Sequence, residues 1–174
     1  MSVEALEIIG IDPGAAPTVC RAFFELGRPP ALDFWTERET SDLLKVNGKN
    51  RHECSAPLMA DIFSQVRPAA VFLEQVSVRP GEGVVSAFRF GRAIGICECA
   101  CLAAGFRLER VRPQVWRKAL KVPEGKDGSR AFASDLMPHL ACCFNLVKDH
   151  NKAEAFLLAW YGFRIIAAER GMHG

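Results

Sequence analysis

The stretch Ile8-Ile9-Gly10-Ile11-Asp12-Pro13-Gly14 decides the fold class. Its β-branched residues suit a pleated, packed surface, and Pro-Gly is turn chemistry. The run therefore reads as a buried strand that stops at Asp12. A charge at the end of a buried strand needs a partner, because desolvation costs several kcal/mol. On this segment alone, a turn-forming Asp before Pro-Gly is an equally good reading.

The same pattern recurs downstream. Ala69-Ala70-Val71-Phe72-Leu73 is a second buried strand, and Glu74 ends it. Before it, Ser55-Ala56-Pro57 opens a helix that runs to about Val66, with Leu58, Ile62, Phe63 and Val66 at helical spacing. Val19 to Leu26 and Ala31 to Trp35 read as strands joined by Gly27-Arg28-Pro29-Pro30. Lys45-Val46-Asn47-Gly48-Lys49-Asn50 reads as a turn or loop. A Gly/Pro loop from Arg79 to Gly83 precedes a small-residue helix from about Val84 to Ala104, and Phe106 to Val111 is a further strand. Pro113 to Leu120, Ser129 to Leu136 and His150 to Glu169 complete the helices. Strands alternating with helices indicate an α/β domain, and 174 residues suit one domain over the whole chain, 1–174.

Composition excludes several classes. With 49% hydrophobic and 24% charged residues the chain is globular rather than disordered. It has no run of 18 apolar residues, so no membrane helix is expected. Met1-Ser2-Val3-Glu4 lacks the basic start of a secretory signal. Seven cysteines, an odd number, read as reduced thiols of a cytoplasmic protein. Cys97, Cys99 and Cys101 alternate along a helix, a spacing that suits small packing residues better than a zinc site. Between Arg107 and Arg130 there are eight bases and three acids, which leaves −3 for the rest of a chain whose total is +2. That basic segment points weakly to a polyanionic partner.

A third group of acids lies in Asp149-His150-Asn151-Lys152-Ala153-Glu154 at the start of the last helix. Asn151 and Glu154 have capping-box spacing, so a purely structural reading is strong here. His150 and Glu154, four apart, share a helix face. A strand-end Asp, a strand-end Glu and a late acidic helix start follow the layout of ribonuclease H-like nucleases. In those enzymes such carboxylates converge on two metals for phosphoryl displacement.

Six segments in order resemble one family, the RuvC-type Holliday-junction resolvases of the phage-borne branch. They are Ile9–Gly14, Glu74-Gln75-Val76, the run from Arg79 to Arg92, Arg112–Lys118, Lys126–Arg130 and Asp149–Ala155. The resemblance implies a ribonuclease H-like mixed sheet flanked by helices. It implies an endodeoxyribonuclease that nicks four-way junctions symmetrically as a homodimer, with two Mg²⁺ per active site and Mn²⁺ as a substitute. Asp12, Glu74, Asp149 and Glu154 are the implied metal ligands. His150 is the alternative to Asp149, or a proton shuttle. There are departures. Asn151 stands three residues before Glu154, where bacterial members carry an acid or His. Ser77 replaces an aromatic, and Glu82 stands where phage-like members often carry Gln.

Arg89, Arg92, Lys118, Lys126 and Arg130 are the expected phosphate contacts. Trp116 reads as a lid on the sheet, with DNA contact as the lesser alternative. Phe88 and Phe90 lie on roughly opposite faces of a helix start, so one suits the core and the other a base or a dimer partner. Gly91 and Gly95 suit close packing, either against a second copy or against the protein's own sheet. Two other function classes stay open: a structure-specific DNA-binding protein with a degenerate metal site, and an actin-like ATP-binding enzyme.

Overall fold

The run around Asp12 forms β1 (Leu6–Asp12), the central strand of a five-stranded sheet. The computed structural model describes residues 5–25, 27–46, 48–77, 81, 83–125 and 127–172. Two antiparallel neighbours follow β1 in sequence, β2 (Thr18–Phe24) and β3 (Ala31–Trp35). A single helical turn, α1 (Glu37–Thr40), leads to β4 (Ser41–Val46) and β5 (Lys49–Cys54), which form a separate two-stranded sheet.

Helix α2 (Ala56–Ser64) then crosses to β6 (Ala70–Glu74), which runs parallel to β1. Helix α3 (Val84–Ala103) crosses to β7 (Leu108–Val111), parallel to β6. The sheet order is β3-β2-β1-β6-β7. Helices α4 (Pro113–Leu120) and α5 (Gly128–Leu136), two 3-10 turns (Pro138–Phe144 and Val147–Asp149) and α6 (His150–Glu169) complete the chain. This is the expected mixed sheet flanked by helices. Among the described residues no helix is long and apolar enough to cross a membrane.

Strand alternation divides the core into two layers. Leu6 and Ile8 of β1, with Ala70 and Phe72 of β6, pack towards α6. Ile9 and Ile11, with Val71 and Leu73, pack towards α2 and α3. Side chains two apart on a strand share a face. Asp12 therefore follows Ile8 and Gly10 onto the α6 side, and Glu74 follows Ala70 and Phe72 onto the same side.

Helix α6 lies unusually close to the sheet. A Cβ on Gly10 would overlap the Ala155 carbonyl oxygen and lie 2.6 Å from the Ala159 nitrogen. One on Gly162 would overlap the Phe72 ring. Bare backbone at these two points lets the helix start settle over β1. Cys97 and Cys101 are buried in the α2–α3 layer, as packing residues are.

The sequence reading of 45–50 as a turn or loop holds for the turn, but the strands are longer than it allowed: they reach Val46 and resume at Lys49. Val46-Asn47-Gly48-Lys49 is an Asn-Gly hairpin signal, and Gly48 has the positive φ, 76°, that such turns require. The flanking strands are largely exposed, so they lack the apolar alternation that advertises a strand.

Candidate active site

The last register pair of β1 with β6 is Ile11 with Leu73. One step further, both strands end, at Asp12 and Glu74. Adjacent strands lie about 4.8 Å apart, so the two carboxylates stand side by side. The close seat of α6 on Gly10 brings Glu154, in that helix's second turn, above them. Asp12, Glu74 and Glu154 each offer an oxygen, and these atoms all lie within 4.8 Å of one another.

The triad is held from α4 and α5. Trp116, fully buried, donates its indole N–H to Glu74 Oε1 at 2.9 Å. Its neighbour Arg117 donates to Glu154 Oε1, and to Ser129 Oγ at 2.8 Å. Ser129 itself donates to Glu154 Oε1 at 3.1 Å. The Arg117 guanidinium also lies 4.9 Å from the centroid of the Trp116 ring.

Burial pushes the Asp12 carboxyl well above its usual range. Repulsion from Glu154 and Glu74 adds to this, and Arg117 opposes it. One guanidinium therefore leaves a surplus of negative charge. Three hard oxygen donors with that surplus fit a divalent cation such as Mg²⁺.

The predicted fourth ligand is not in this group. Asp149 is buried, but its Oδ2 accepts the Leu146 N–H at 2.9 Å and its Oδ1 pairs with Lys152 Nζ at 3.1 Å. The 3-10 turn Val147–Asp149 folds the carboxylate back on its own cap. Burial alone would raise its pKa, yet the Leu146 N–H and Lys152 hold it below the usual range. His150 is exposed at the first position of α6 and is also outside the group.

The expected phosphate contacts divide. Arg89 donates to Glu53 at 3.0 Å and to the His52 carbonyl at 2.6 Å, so it is a structural strut. Arg130 bonds the Phe144 and Asn145 carbonyls and pairs with Asp127, which fixes the α5–turn junction instead. Arg92 pairs with Glu53 but is half exposed. Lys118 is exposed, and among the described residues it has no ion-pair partner. Lys126, Arg79 and Glu82 lie outside the described residues.

Sequence reasoning missed Arg117 and Ser129 as companions of the triad. It had Trp116 as a lid, and the burial agrees, but the indole bond to Glu74 was not foreseen. Nothing in the local pattern distinguishes Arg117 from its basic neighbours; α4 turns it inwards because Trp116 and Leu120 are buried on the adjoining face.

No protein-family model and no curated protein sequence matches the chain. Solved structures do. RuvC of T. thermophilus in complex with a Holliday junction substrate aligns over 96% of this chain and 97% of its own, at 16% identity and a TM-score of 0.58. A second Thermus thermophilus RuvC structure aligns over 96% and 98%, at 18% identity and a TM-score of 0.56. The yeast mitochondrial Holliday junction resolvase Ydc2 aligns over 95% of this chain and 81% of its own, at 16% identity and a TM-score of 0.62. Identity this low carries the fold and no more, and that fold is the ribonuclease H-like fold of the RuvC-type resolvases.

Proposed function

We propose that the protein is a divalent-metal-dependent endonuclease that resolves four-way DNA junctions. The convergence of Asp12, Glu74 and Glu154 on one point carries the reading. Such a cluster at the ends of parallel strands is unstable without a cation and well suited to one. The similarity to resolvases, one of them described with a Holliday junction substrate, supports branched DNA as the partner.

Asp12, Glu74 and Glu154 would hold Mg²⁺, which supplies charge neutralisation and water activation for phosphodiester hydrolysis. Trp116 fixes one oxygen of Glu74, and Ser129 fixes one of Glu154. Arg117, balancing Glu154 beside the triad, has planar donors suited to a phosphate oxygen. His150, on the Glu154 face of α6, would deliver a proton to the leaving oxygen. We assign Asp149 to the structure of the helix start.

Symmetric nicking needs two sites, and we propose a two-fold homodimer packed through α3. Val84, Phe88, Gly91, Gly95 and Leu102 fall along one stripe of that helix, all exposed. A Cβ on Gly91 or Gly95 would meet nothing within 4 Å among the described residues, which speaks against packing on the protein's own sheet.

The test is nicking of matched four-way, three-way and linear DNA, with Mg²⁺ and with EDTA. Metal-dependent paired nicks on the four-way substrate are expected. Tight junction binding without cleavage would instead mean a DNA-binding protein with a degenerate site. The presence of Arg117 in the cluster makes that second reading worth separating.

A further inference from the structure

The β4–β5 hairpin stands outside the main sheet, and its charge is graded along its length. At the root, Asp42 pairs in register with Glu53. Near the turn, Lys45 pairs with Asn50, and Leu44 with Arg51. Residues 45–51 contain Lys45, Lys49 and Arg51, and no acid. All three bases are exposed. Among the described residues no carboxylate pairs with any of them, whereas the root acid Glu53 is bound by both Arg89 and Arg92 at 3.0 Å.

The root is tied to the catalytic end of the sheet. Trp35, where β3 ends, pairs with Val19, one step from the Asp12–Thr18 pair. Beyond it, Thr40 Oγ1 donates to the Pro17 carbonyl at 2.7 Å, in the turn that follows Asp12. The Ser55 N–H returns to the Thr40 carbonyl at 3.0 Å and closes the hairpin's neck. Arg89 and Arg92 of α3, the helix that follows Glu74, fix the hairpin's flank. At about 3.3 Å per residue, six-residue strands carry the tip roughly 17 Å beyond this anchored root.

We propose that this hairpin is a second DNA-contacting arm, whose Lys45, Lys49 and Arg51 grip the phosphate backbone of a duplex arm leaving the cleavage site. The partner's identity as DNA rests on the nuclease reading above; the hairpin's role is additional to it. Alternation puts Lys49 and Arg51 on one face and Lys45 on the other. Cations on both faces suit a groove whose two walls are rows of phosphates, and a major groove about 12 Å wide admits a two-stranded ribbon. Long flexible bases without a pocket bind by charge and read no sequence. The hairpin would thus supply affinity in place of Arg89 and Arg130, which are engaged within the fold.

The test uses Asp12→Asn protein, so that binding is measured without cleavage, and four-way DNA labelled for anisotropy at several salt concentrations. In that background, the triple change K45A/K49A/R51A should weaken binding at least tenfold near 0.1 M salt. The log-log salt slope should fall by roughly 0.9 for each phosphate no longer neutralised. K45R/K49R/R51K should bind as the parent does. Equal affinity and slope in the alanine variant would overturn the hairpin proposal alone. Failure of the Asp12→Asn parent to bind any branched DNA would overturn the nuclease reading and the hairpin with it. Acetylation of Lys45 and Lys49 in the parent, with and without junction, reads the same interaction with the hairpin unaltered. Protection is expected, and equal labelling would overturn the proposal.

Discussion

Asp12 is held at a cost to the fold. Its carboxyl favours the protonated form, because burial and two neighbouring acids oppose its charge. A raised folded-state pKa contributes stability at low pH that is lost as pH rises through it. Asp12→Asn should therefore raise the melting temperature in EDTA at pH 7. That gain should fade as pH falls below the ordinary carboxylate range, where the unfolded wild-type chain becomes protonated as the folded one already is. Mg²⁺ should stabilise wild type more than the variant, and cleavage by the variant should fall by several orders of magnitude. Arg117, paired with Glu154, competes with a cation for that carboxylate. Arg117→Met should tighten Mg²⁺ binding several-fold in calorimetry without DNA, while slowing cleavage. Weaker Mg²⁺ binding in that variant would show that Arg117 organises Glu154 more than it competes for it.

The start of helix α6 does two jobs. Asp149 closes the preceding turn through the Leu146 N–H and Lys152, and Glu154 enters the triad one turn later. A depressed carboxyl pKa contributes stability above its ordinary range that is lost as pH falls. Asp149→Asn should cost about 1.5–3 kcal/mol at pH 7, the scale of a hydrogen bond to a charged group. The deficit in urea unfolding should shrink towards pH 3. Folded Asp149→Asn should keep measurable cleavage. His150→Ala should lower cleavage without lowering the melting temperature. A dead but fully stable Asp149→Asn would return that residue to the metal site.

On the proposed nuclease reading, the exposed α3 stripe and the carboxylate end of the sheet would serve one branched substrate. Phe88 is 75% exposed near the start of that stripe, a large apolar side chain with little to cover it. Phe88→Asp should shift sedimentation from dimer to monomer. Paired nicks in a cruciform plasmid should then become single, uncoupled nicks. A wild-type sedimentation profile in this variant would place the dimer interface elsewhere.

The two strand-end acids were legible because burial is written in local runs: Ile8 to Ile11 and Ala69 to Leu73 are apolar, and each run is closed by an acid. Helix boundaries at Pro113, Leu120 and His150 were legible for the same local reason, since caps and prolines act within a few residues. The hairpin was hidden because its strands face water and lack apolar alternation. Which bases stay free was not legible at all. Arg89 and Arg117 look like Lys118 in sequence, and only packing brings Glu53 and Glu154 to the first two. Local pattern suffices for the α/β order and for the acids at the strand ends. Long-range packing sets which of the helix-start acids meets them: Glu154 does, and Asp149 stays outside the cluster. The seat of α6 on Gly10 is an approach between residues distant in the chain, and the fold-back of the Asp149 carboxylate follows a turn that no periodicity announces.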